Sequence, residues 1–290
     1  MSAAAPSVAA AEPLAVERRR RLPFSPWHLL LMPTAIVFAL PLLWMVLSSF
    51  MSNAQINQFP PTIIPDSLHI DGWRTVLNDS QFPRWFLNST IVAVVTVISN
   101  LVFCSLAGYA FARLRFRGST VIFLLILFTL VIPFQLTMIP TFIVMAKLGI
   151  VDTLAALIVP ALVLPLGVFL MRQFFVNLPR EVEEAARIDG CSRLGVLLHV
   201  ALPLARPALA TLAALTFLLM WNDLLWPLIA ISSDENATLP LGLTTFQGQH
   251  TQDFSAVMAG NVITVVPVLI AFLLAQRTFI ESLTSSAVKG

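Results

Sequence analysis

Charged residues are scarce in this chain. Of its 290 residues only 11% are Asp, Glu, Lys or Arg, whereas 58% are hydrophobic. An average soluble domain carries roughly 25% charged residues, so this composition is too apolar to cover a water-exposed surface. The formal net charge is +2, which gives no indication of nucleic acid or an acidic substrate as a partner. The composition therefore predicts a protein whose solvent is mostly lipid.

Cysteine and histidine are also rare. Cys104 falls in an apolar segment and Cys191 in a polar one, so we expect no disulfide between them. The four histidines are scattered and form no HExxH pair, and the sequence has no G-x-x-x-x-G-K-[ST] loop for nucleotide phosphates. We therefore expect no catalytic residue, metal or cofactor in this chain, and the chain is not predicted to be an enzyme.

Long apolar segments are abundant. Each is about twenty residues or more, the length that a helix needs to cross a hydrocarbon core of about 30 Å. The first exceeds the apolar part of a secretory signal, about 7 to 15 residues, so we expect it to be retained. The segments lie at 28–50, 86–112, 120–145, 153–175, 204–231 and 255–276. The sequence predicts an all-α integral membrane protein with six transmembrane helices in residues 27–290, preceded by a disordered cytoplasmic tail at 1–26.

Basic residues set the expected orientation. With the tail inside, 14 of the 17 Lys and Arg residues fall on the inner side and 3 on the outer side. The outer three are Arg74, Arg84 and Lys147. Basic residues accumulate in cytoplasmic loops, so both termini are expected in the cytoplasm. The outer loops are then 51–85, expected to form a small ordered cap around Trp73, and 232–254, polar enough to meet an extracytoplasmic partner.

Prolines interrupt the third segment. Pro133 and Pro140 each lack a backbone N–H donor, and lipid cannot replace the lost hydrogen bonds. We expect this segment to bend, with the bend facing protein. The predicted spans also contain polar side chains that either line a path for a solute or form hydrogen bonds between helices. They are Thr96, Ser99, Asn100 and Gln135.

The inner connection at 176–203 carries the most specific pattern. It opens with Pro179, which suits the first turn of a helix, and with glutamates that place negative charge near the helix N-terminus. Gly190 either lets the chain turn or lets two helices approach closely, and a second short helix is expected at about 192–200. Because ordered connections of this length usually bind something, we expect a docking hairpin rather than a plain connector.

The spacing within this loop resembles a known motif. Its residues in order are Glu184-Ala185-Ala186, three residues, Gly190, nine residues, Val200, one residue and Leu202-Pro203. This pattern resembles the EAA loop of binding-protein-dependent ABC importer permeases. Finer features resemble the carbohydrate-uptake branch, which is related to the maltose and glycerol-3-phosphate importers. These features are Ile188-Asp189-Gly190, Trp221-Asn222-Asp223 and the final Ser286-Ala287-Val288-Lys289-Gly290.

The resemblance implies a fold, a location and partners. It implies the type I ABC importer permease fold in a bacterial cytoplasmic membrane, translocating a sugar or sugar-like solute, polyol phosphates included. The implied partners are a second homologous permease, two ATP-binding subunits that hold ATP and Mg²⁺, and an extracytoplasmic binding protein. In that family the hairpin occupies a cleft of the ATP-binding subunit. The coupling residues implied here are Glu184, Ala185, Ala186, Asp189, Gly190, Leu202 and Pro203.

Asp223 is the only carboxylate within the six predicted spans. Ionisable groups at membrane depth are costly and often functional. Beside it, Trp221 and Asn222 offer an aromatic face and a hydrogen-bonding amide, which suit a sugar. Interfacial tryptophan is equally an ordinary anchor at a bilayer edge. These three residues are the candidates for a substrate path.

Two other classes of protein are alternatives at this point. A membrane-embedded enzyme would pair Asp223 with a histidine, but His199 is expected inside and Asp223 near the outer face. A structural membrane scaffold would make the spacing of the hairpin accidental. The spacing therefore favours the importer permease over both.

Overall fold

The computed structural model describes residues 27–248 and 253–287. The expected tail at 1–26 lies outside the described residues. Contacts divide the chain into two units, Met1–Trp44 and Met45–Gly290. The regular elements of the described residues are helices, joined by short turns of 3-10 helix at Val159–Ala161, Asp234–Asn236 and Thr244–Phe246. In chain order the helices are α1 (His28–Ser48), α2 (Asn53–Ile56), α3 (Asp71–Asn78), α4 (Phe82–Arg113), α5 (Ser119–Val131), α6 (Phe134–Lys147), α7 (Leu154–Ile158), α8 (Pro165–Asn177), α9 (Arg180–Ile188), α10 (Arg193–Val196), α11 (Leu202–Leu204), α12 (Arg206–Trp221), α13 (Leu225–Ala230), α14 (Leu239–Leu243) and α15 (Phe254–Ala287).

Up to six segments of the described residues are suited to cross a membrane. Four are single spans: α1, α4, Leu154–Asn177, and Phe254–Leu274 within α15. Two bent pairs bring the number to six when each pair counts as one span. The first pair, α5 with α6, turns by 108°, and the second, Arg193–Leu204 with α12, turns by 78°. The all-helical membrane fold is therefore confirmed, and so is the bend that the prolines of the third segment predict.

The fifth predicted span, 204–231, is not one helix. Helix α12 ends at Trp221, and the chain becomes helical again only in α13. Pro227 has no N–H to donate to the carbonyl of Asp223 four residues earlier, so a continuous helix would lose a hydrogen bond at this point. The hydropathy of the sequence does not predict this interruption, because apolar residues continue on both sides of it.

Helix α4 is central to the second unit. Its 32 residues correspond to about 48 Å, longer than the hydrocarbon core of about 30 Å. It packs most extensively against α8 and α12. A Cβ at Gly108 would lie 2.7 Å from the Cβ of Met171, closer than side chains approach one another. The glycine therefore permits the tight contact between α4 and α8, as small residues commonly do between membrane helices.

Three clusters of buried apolar side chains form the core of this unit. One joins α3, α4, α12, α14 and α15 around Trp85 and Trp221. A second joins α4, α8 and α12 around Met171 and Phe175, and a third joins α4, α6, α7 and α13 around Trp226. Helix α4 contributes to all three, so a displacement of α4 reaches the helices of every cluster.

Polar side chains of α4 form hydrogen bonds with the backbone groups left unpaired between α7 and α8. Pro165 has no N–H for the carbonyl of Ala161 four residues earlier. The Asn100 amide donates to that carbonyl at 2.8 Å, and its oxygen accepts the N–H of Leu164 at 2.8 Å. Ser99 donates to the carbonyl of Leu162 at 3.0 Å. Of the two roles considered for Asn100 and Ser99, the structure shows hydrogen bonding between helices. Gln135 is exposed beside the bend between α5 and α6.

The expected outer cap at 51–85 contains α2 and α3. Val76 is fully buried, whereas Trp73 is half-buried and stacks on Phe50 with 5.6 Å between ring centroids. The second expected outer loop, 232–254, contains α14, but Gln249 and His250 lie outside the described residues.

Asp152 joins two outer connections through hydrogen bonds. Its carboxylate accepts hydrogen bonds at 2.9 Å from the backbone N–H groups of Ser232 and Ser233 and from the Ser233 hydroxyl. Asn236 donates to the Asp152 carbonyl at 2.7 Å. The hydrogen bonds from Ser233 and then Ser232 hold the pKa of the Asp152 carboxyl below its usual range. The connection after α6 is thereby fixed to the connection after α13.

Candidate functional site

The connection at 176–203 forms the expected hairpin. Helix α9 begins directly after Pro179, and its first turn carries Glu181 and Glu183 near the positive helix N-terminus. After a turn at Gly190, Ser192 caps α10 by accepting the N–H of Gly195 at 3.1 Å. Two short helical arms and a tight turn therefore lie on one end of the bundle.

Gly190 closes the first arm through its backbone conformation. Its φ is +89°, in the left-handed region that glycine adopts without steric cost. The N–H of Gly190 donates to the carbonyl of Arg187 at 3.1 Å, and the N–H of Cys191 donates to that of Ala186 at 3.0 Å. This pair of bonds is the Schellman motif. A Cβ at Gly190 would meet nothing within 4 Å, so the turn and not a close approach explains the glycine.

The second arm returns to the membrane through a wide turn. Helix α10 continues as a π-helix at Leu197–Ala201 and then as α11. Pro203 has no N–H to donate to the carbonyl of His199, and its ring would clash there, so the ordinary α-helical pattern is interrupted. Leu197 and Ala201 are buried in the cluster around Met171 and Phe175. The second arm is thus part of the core of the bundle.

A buried ion pair attaches the first arm to α4. The Arg113 Nε donates to Glu183 Oε1 at 2.7 Å, and the two side chains are only 7% and 12% exposed. The Tyr109 hydroxyl donates to Glu183 Oε2 at 3.4 Å, and a second nitrogen of Arg113 donates to the Leu178 carbonyl. We call Arg113, Glu183 and Tyr109 the clamp. It joins α9 directly to the end of the central helix.

The clamp is not apparent from the sequence. In the sequence Glu183 is one of several glutamates near the start of α9, and Arg113 is one of several basic residues on the inner side. Seventy positions separate the two, and sequence spacing does not show which glutamate of α9 faces α4. A usable signal is the position of Arg113 as the last residue of α4, where a cation also suits the negative helix C-terminus.

The residues of the motif lie mostly on the other side of the hairpin. Glu184, Ala185, Asp189, Gly190 and Pro203 are exposed, whereas Ala186 and Leu202 are half-buried. Exposed apolar side chains flank them, and these are Val182, Ile188, Leu194 and Leu198. Ile188 is 86% exposed. Charged residues at the bundle end thus surround an uncovered apolar face, which is typical of a protein docking surface.

The three candidate substrate residues have different environments. Trp221 is 1% exposed; its Nε1 donates to the Thr264 carbonyl at 3.0 Å, and its ring stacks on Phe217. Asn222 is exposed, and Asp223 is half-buried with its Oδ1 accepting the N–H of Trp226 at 3.3 Å. Trp221 therefore belongs to the core, and the two polar residues occupy the gap between α12 and α13.

The structure does not bring an acid–base pair together at these positions. His199 lies in the hairpin, where its Nδ1 is 3.0 Å from the Gly195 carbonyl oxygen. Asp223 follows the far end of α12, whose 16 residues correspond to about 24 Å. A catalytic pair must lie within hydrogen-bonding reach of one substrate. His199 and Asp223 therefore do not form the pair that the membrane-enzyme alternative would require of them.

Comparisons with known proteins agree with this geometry. Residues 102–280 match the family model described as binding-protein-dependent transport system inner membrane component. The chain is 39% identical over 278 residues to the arabinooligosaccharides transport system permease protein AraQ of Halalkalibacterium halodurans, covering 94% of this chain and 100% of that protein. It is 33% identical over 262 residues to the trehalose/maltose transport system permease protein MalG of Thermococcus litoralis, covering 88% and 93%. A solved chain from a bacterial ABC transporter involved in importing the acidic polysaccharide alginate superposes with a TM-score of 0.76 at 26% identity, covering 88% of this chain and 98% of that one.

Proposed function

The chain belongs to the family of binding-protein-dependent transport system inner membrane components, and we propose that it is the permease subunit of an ATP-driven carbohydrate importer. It is a multi-pass protein of a bacterial inner membrane with the type I ABC importer permease fold. The names of its relatives include arabinooligosaccharides, trehalose and maltose as cargo, which supports a sugar or oligosaccharide as the solute class.

The proposed assembly has four kinds of subunit. This chain would pair with a second homologous permease, two ATP-binding subunits would bind ATP and Mg²⁺, and an extracytoplasmic binding protein would deliver the sugar. The description of the matched family supports the dependence on a binding protein. The uncovered apolar face of the hairpin supports a cytoplasmic partner.

The observation that carries the proposal is the two-sided construction of the hairpin. One side exposes the motif residues Glu184 and Ala185 to a partner, and the other side is attached to α4 by the buried pair of Arg113 and Glu183. When a partner on the exposed side moves α9, the buried ion pair can therefore transmit that movement directly to α4. A plain connector or scaffold requires neither the exposed face nor the clamp.

The mechanism follows from these contacts. When the ATP-binding subunits close on ATP, their docking cleft would move α9 and, through the clamp, α4. Because α4 contributes to all three core clusters, α8 and α12 would move with it. Packed interfaces of this kind shift between discrete arrangements rather than deform continuously. The loaded binding protein would bias the exchange by binding one arrangement more tightly than the other.

We assign the proposed substrate path in this subunit to Asn222 and Asp223. They lie in a helix break, where the polar backbone and side chains are available to hydroxyl groups. Irregular backbone at membrane depth is tolerated where it is buried in protein or lines a cavity, which suits a path. Trp221 would serve this path by fixing the end of α12 through its bond to Thr264.

Cross-linking from Ile188 tests the docking proposal. In a Cys191→Ser background, Ile188→Cys places a thiol on the exposed end of α9, and we expect it to cross-link to the ATP-binding subunit in membranes. Asp71→Cys, exposed in the outer cap, is the matched control and should give no such product. Equal products from both positions, or none from Ile188→Cys, would refute cytoplasmic docking by the hairpin.

Asp223→Asn tests the substrate path. Loss of a charge-assisted hydrogen bond of about 1.5–3 kcal/mol predicts a fall in sugar uptake of about tenfold or more, with an unchanged amount of assembled complex. Asp66→Asn removes the same charge from an exposed outer position outside the 232–254 loop and should leave uptake unchanged. Uptake in proteoliposomes and the yield of purified complex are measured together. A lower yield with normal uptake per complex would instead make Asp223 a structural residue.

A further inference from the structure

A basic cavity lies between the hairpin and the link that joins α4 to α5. It has a volume of about 640 Å³ and includes Arg115 and Arg117 on the link side and Arg180 and Arg187 on the hairpin side. The Arg113 of the clamp also borders it, but its charge is matched by Glu183. The clamp and Glu184 border this cavity, but coupling through them requires no ligand inside it.

The cavity has an excess of positive charge. Arg115, Arg117, Arg180 and Arg187 have side chains without a hydrogen bond or ion pair in the part of the chain that the structure describes. Glu184 is the one carboxylate on the lining besides Glu183. Guanidinium groups bind phosphate oxygens through paired N–H donors, so a cluster of unpaired arginines around a cavity suits a phosphate-bearing ligand.

The position of the cavity identifies the source of the phosphate. Its link side runs from the end of α4 at Arg113 to the start of α5 at Ser119, and α4 and α5 both belong to membrane spans. The basic asymmetry of the sequence places this end on the cytoplasmic side. The cavity therefore lies at the cytoplasmic ends of two membrane spans, on the side of the inner-leaflet headgroups.

An apolar face continues from the cavity along α5. Val121, Leu124, Leu125 and Phe128 are each between 47% and 65% exposed. Their spacing of three and four residues puts them on one side of the helix. A lipid whose phosphate enters the cavity can lay its acyl chains on this face.

We propose that this cavity binds the phosphate headgroup of an anionic phospholipid of the cytoplasmic leaflet. Basic pockets beside transmembrane helices on the cytoplasmic side are suited to such headgroups. The lipid would lie between the α4–α5 link and the arm of the hairpin that carries the motif. A headgroup held there would offset part of the positive charge of the four arginines next to the docking surface.

The experiment uses native mass spectrometry on the assembled complex of this chain with its partner subunits. The complex is titrated with phosphatidylglycerol or with zwitterionic phosphatidylcholine. The test variant is Arg115→Gln with Arg117→Gln, which changes two exposed residues that are not members of the clamp. The matched control, Arg193→Gln with Arg206→Gln, removes two exposed cytoplasmic arginines that do not line the cavity. A third arm adds inorganic phosphate in place of lipid.

For the most tightly bound phosphatidylglycerol molecule, we expect the affinity of the test variant to be at least about tenfold lower than that of the wild type. The control variant should bind this lipid with wild-type affinity. The reason is that each arginine near an anionic lipid contributes severalfold to affinity. Wild-type protein should prefer phosphatidylglycerol over phosphatidylcholine and should not lose it to inorganic phosphate. Equal binding by test and control variants would overturn the proposal. So would equal affinity for the two lipids, or displacement by inorganic phosphate, which would indicate a soluble ligand. If the test variant lost the ATP-binding subunit while retaining lipid, the cavity would be a protein contact and the lipid proposal would be wrong.

Discussion

Glu183→Ala is expected to abolish the stimulation of ATP turnover by sugar-loaded binding protein. The substitution leaves Arg113 without its carboxylate partner in a site where both side chains are buried. Breaking a buried pair by removing one partner costs about 3–5 kcal/mol, so the first arm of the hairpin should separate from α4. The exposed motif residues are unchanged, and docking of the ATP-binding subunit should persist. The measurement is ATP turnover of the reconstituted complex with and without loaded binding protein.

Two further variants separate coupling from general damage. Glu181→Ala removes an exposed glutamate from the same helical turn and should retain full stimulation. Arg113→Leu with Glu183→Leu leaves no buried charge unpaired and should recover most of the assembled complex, since apolar replacement of a buried pair is often neutral. Wild-type stimulation in Glu183→Ala would show that the clamp does not transmit movement to α4.

Gly190→Val is also expected to reduce the stimulation of ATP turnover by loaded binding protein, but through the backbone of the hairpin rather than through the clamp. Gly190 has a φ of +89°, and the left-handed region costs an L-residue about 1–2 kcal/mol, with a larger penalty for a β-branched side chain. The Schellman bonds that end α9 should be lost, and the motif residues should leave their docking arrangement. We expect binding-protein-stimulated turnover to fall about tenfold, while the isolated binding protein captures sugar normally.

Gly190→Asn is the matched control for the backbone argument. Asparagine tolerates the left-handed conformation, and the space around a Cβ at this position is open to 4 Å. Turnover should therefore stay near the wild-type rate. If asparagine and valine impaired turnover equally, the side chain would be colliding with a partner, and the backbone explanation would fail.

Local chemistry made several features predictable from the sequence. The six apolar segments and the bend at Pro133 follow from hydropathy and from missing N–H donors, which need no knowledge of distant contacts. Gly190 followed from the same kind of argument, and the structure decided between its two possible reasons by showing the positive φ and the empty space beside it.

Features that depend on helix packing were not predictable. The partner of Glu183 is fixed by the register of α9 against α4, and the partner of Trp221 is fixed by the approach of α15 to α12. Asn100 had two possible roles until the structure placed it opposite the carbonyl of Ala161. A sequence pattern gives residue type and depth in the membrane, but it does not give the rotation of one helix against another.

The central claim is that the exposed side of the hairpin docks an ATP-binding subunit. The most direct test compares Glu184→Lys with Glu181→Lys, since both residues are exposed near the start of α9 and only Glu184 belongs to the motif. The measurement is the amount of ATP-binding subunit that co-purifies with the permease pair. We predict that Glu184→Lys loses most of this subunit while Glu181→Lys retains it. Full retention in both variants would contradict docking through the motif and would leave the hairpin as a connector.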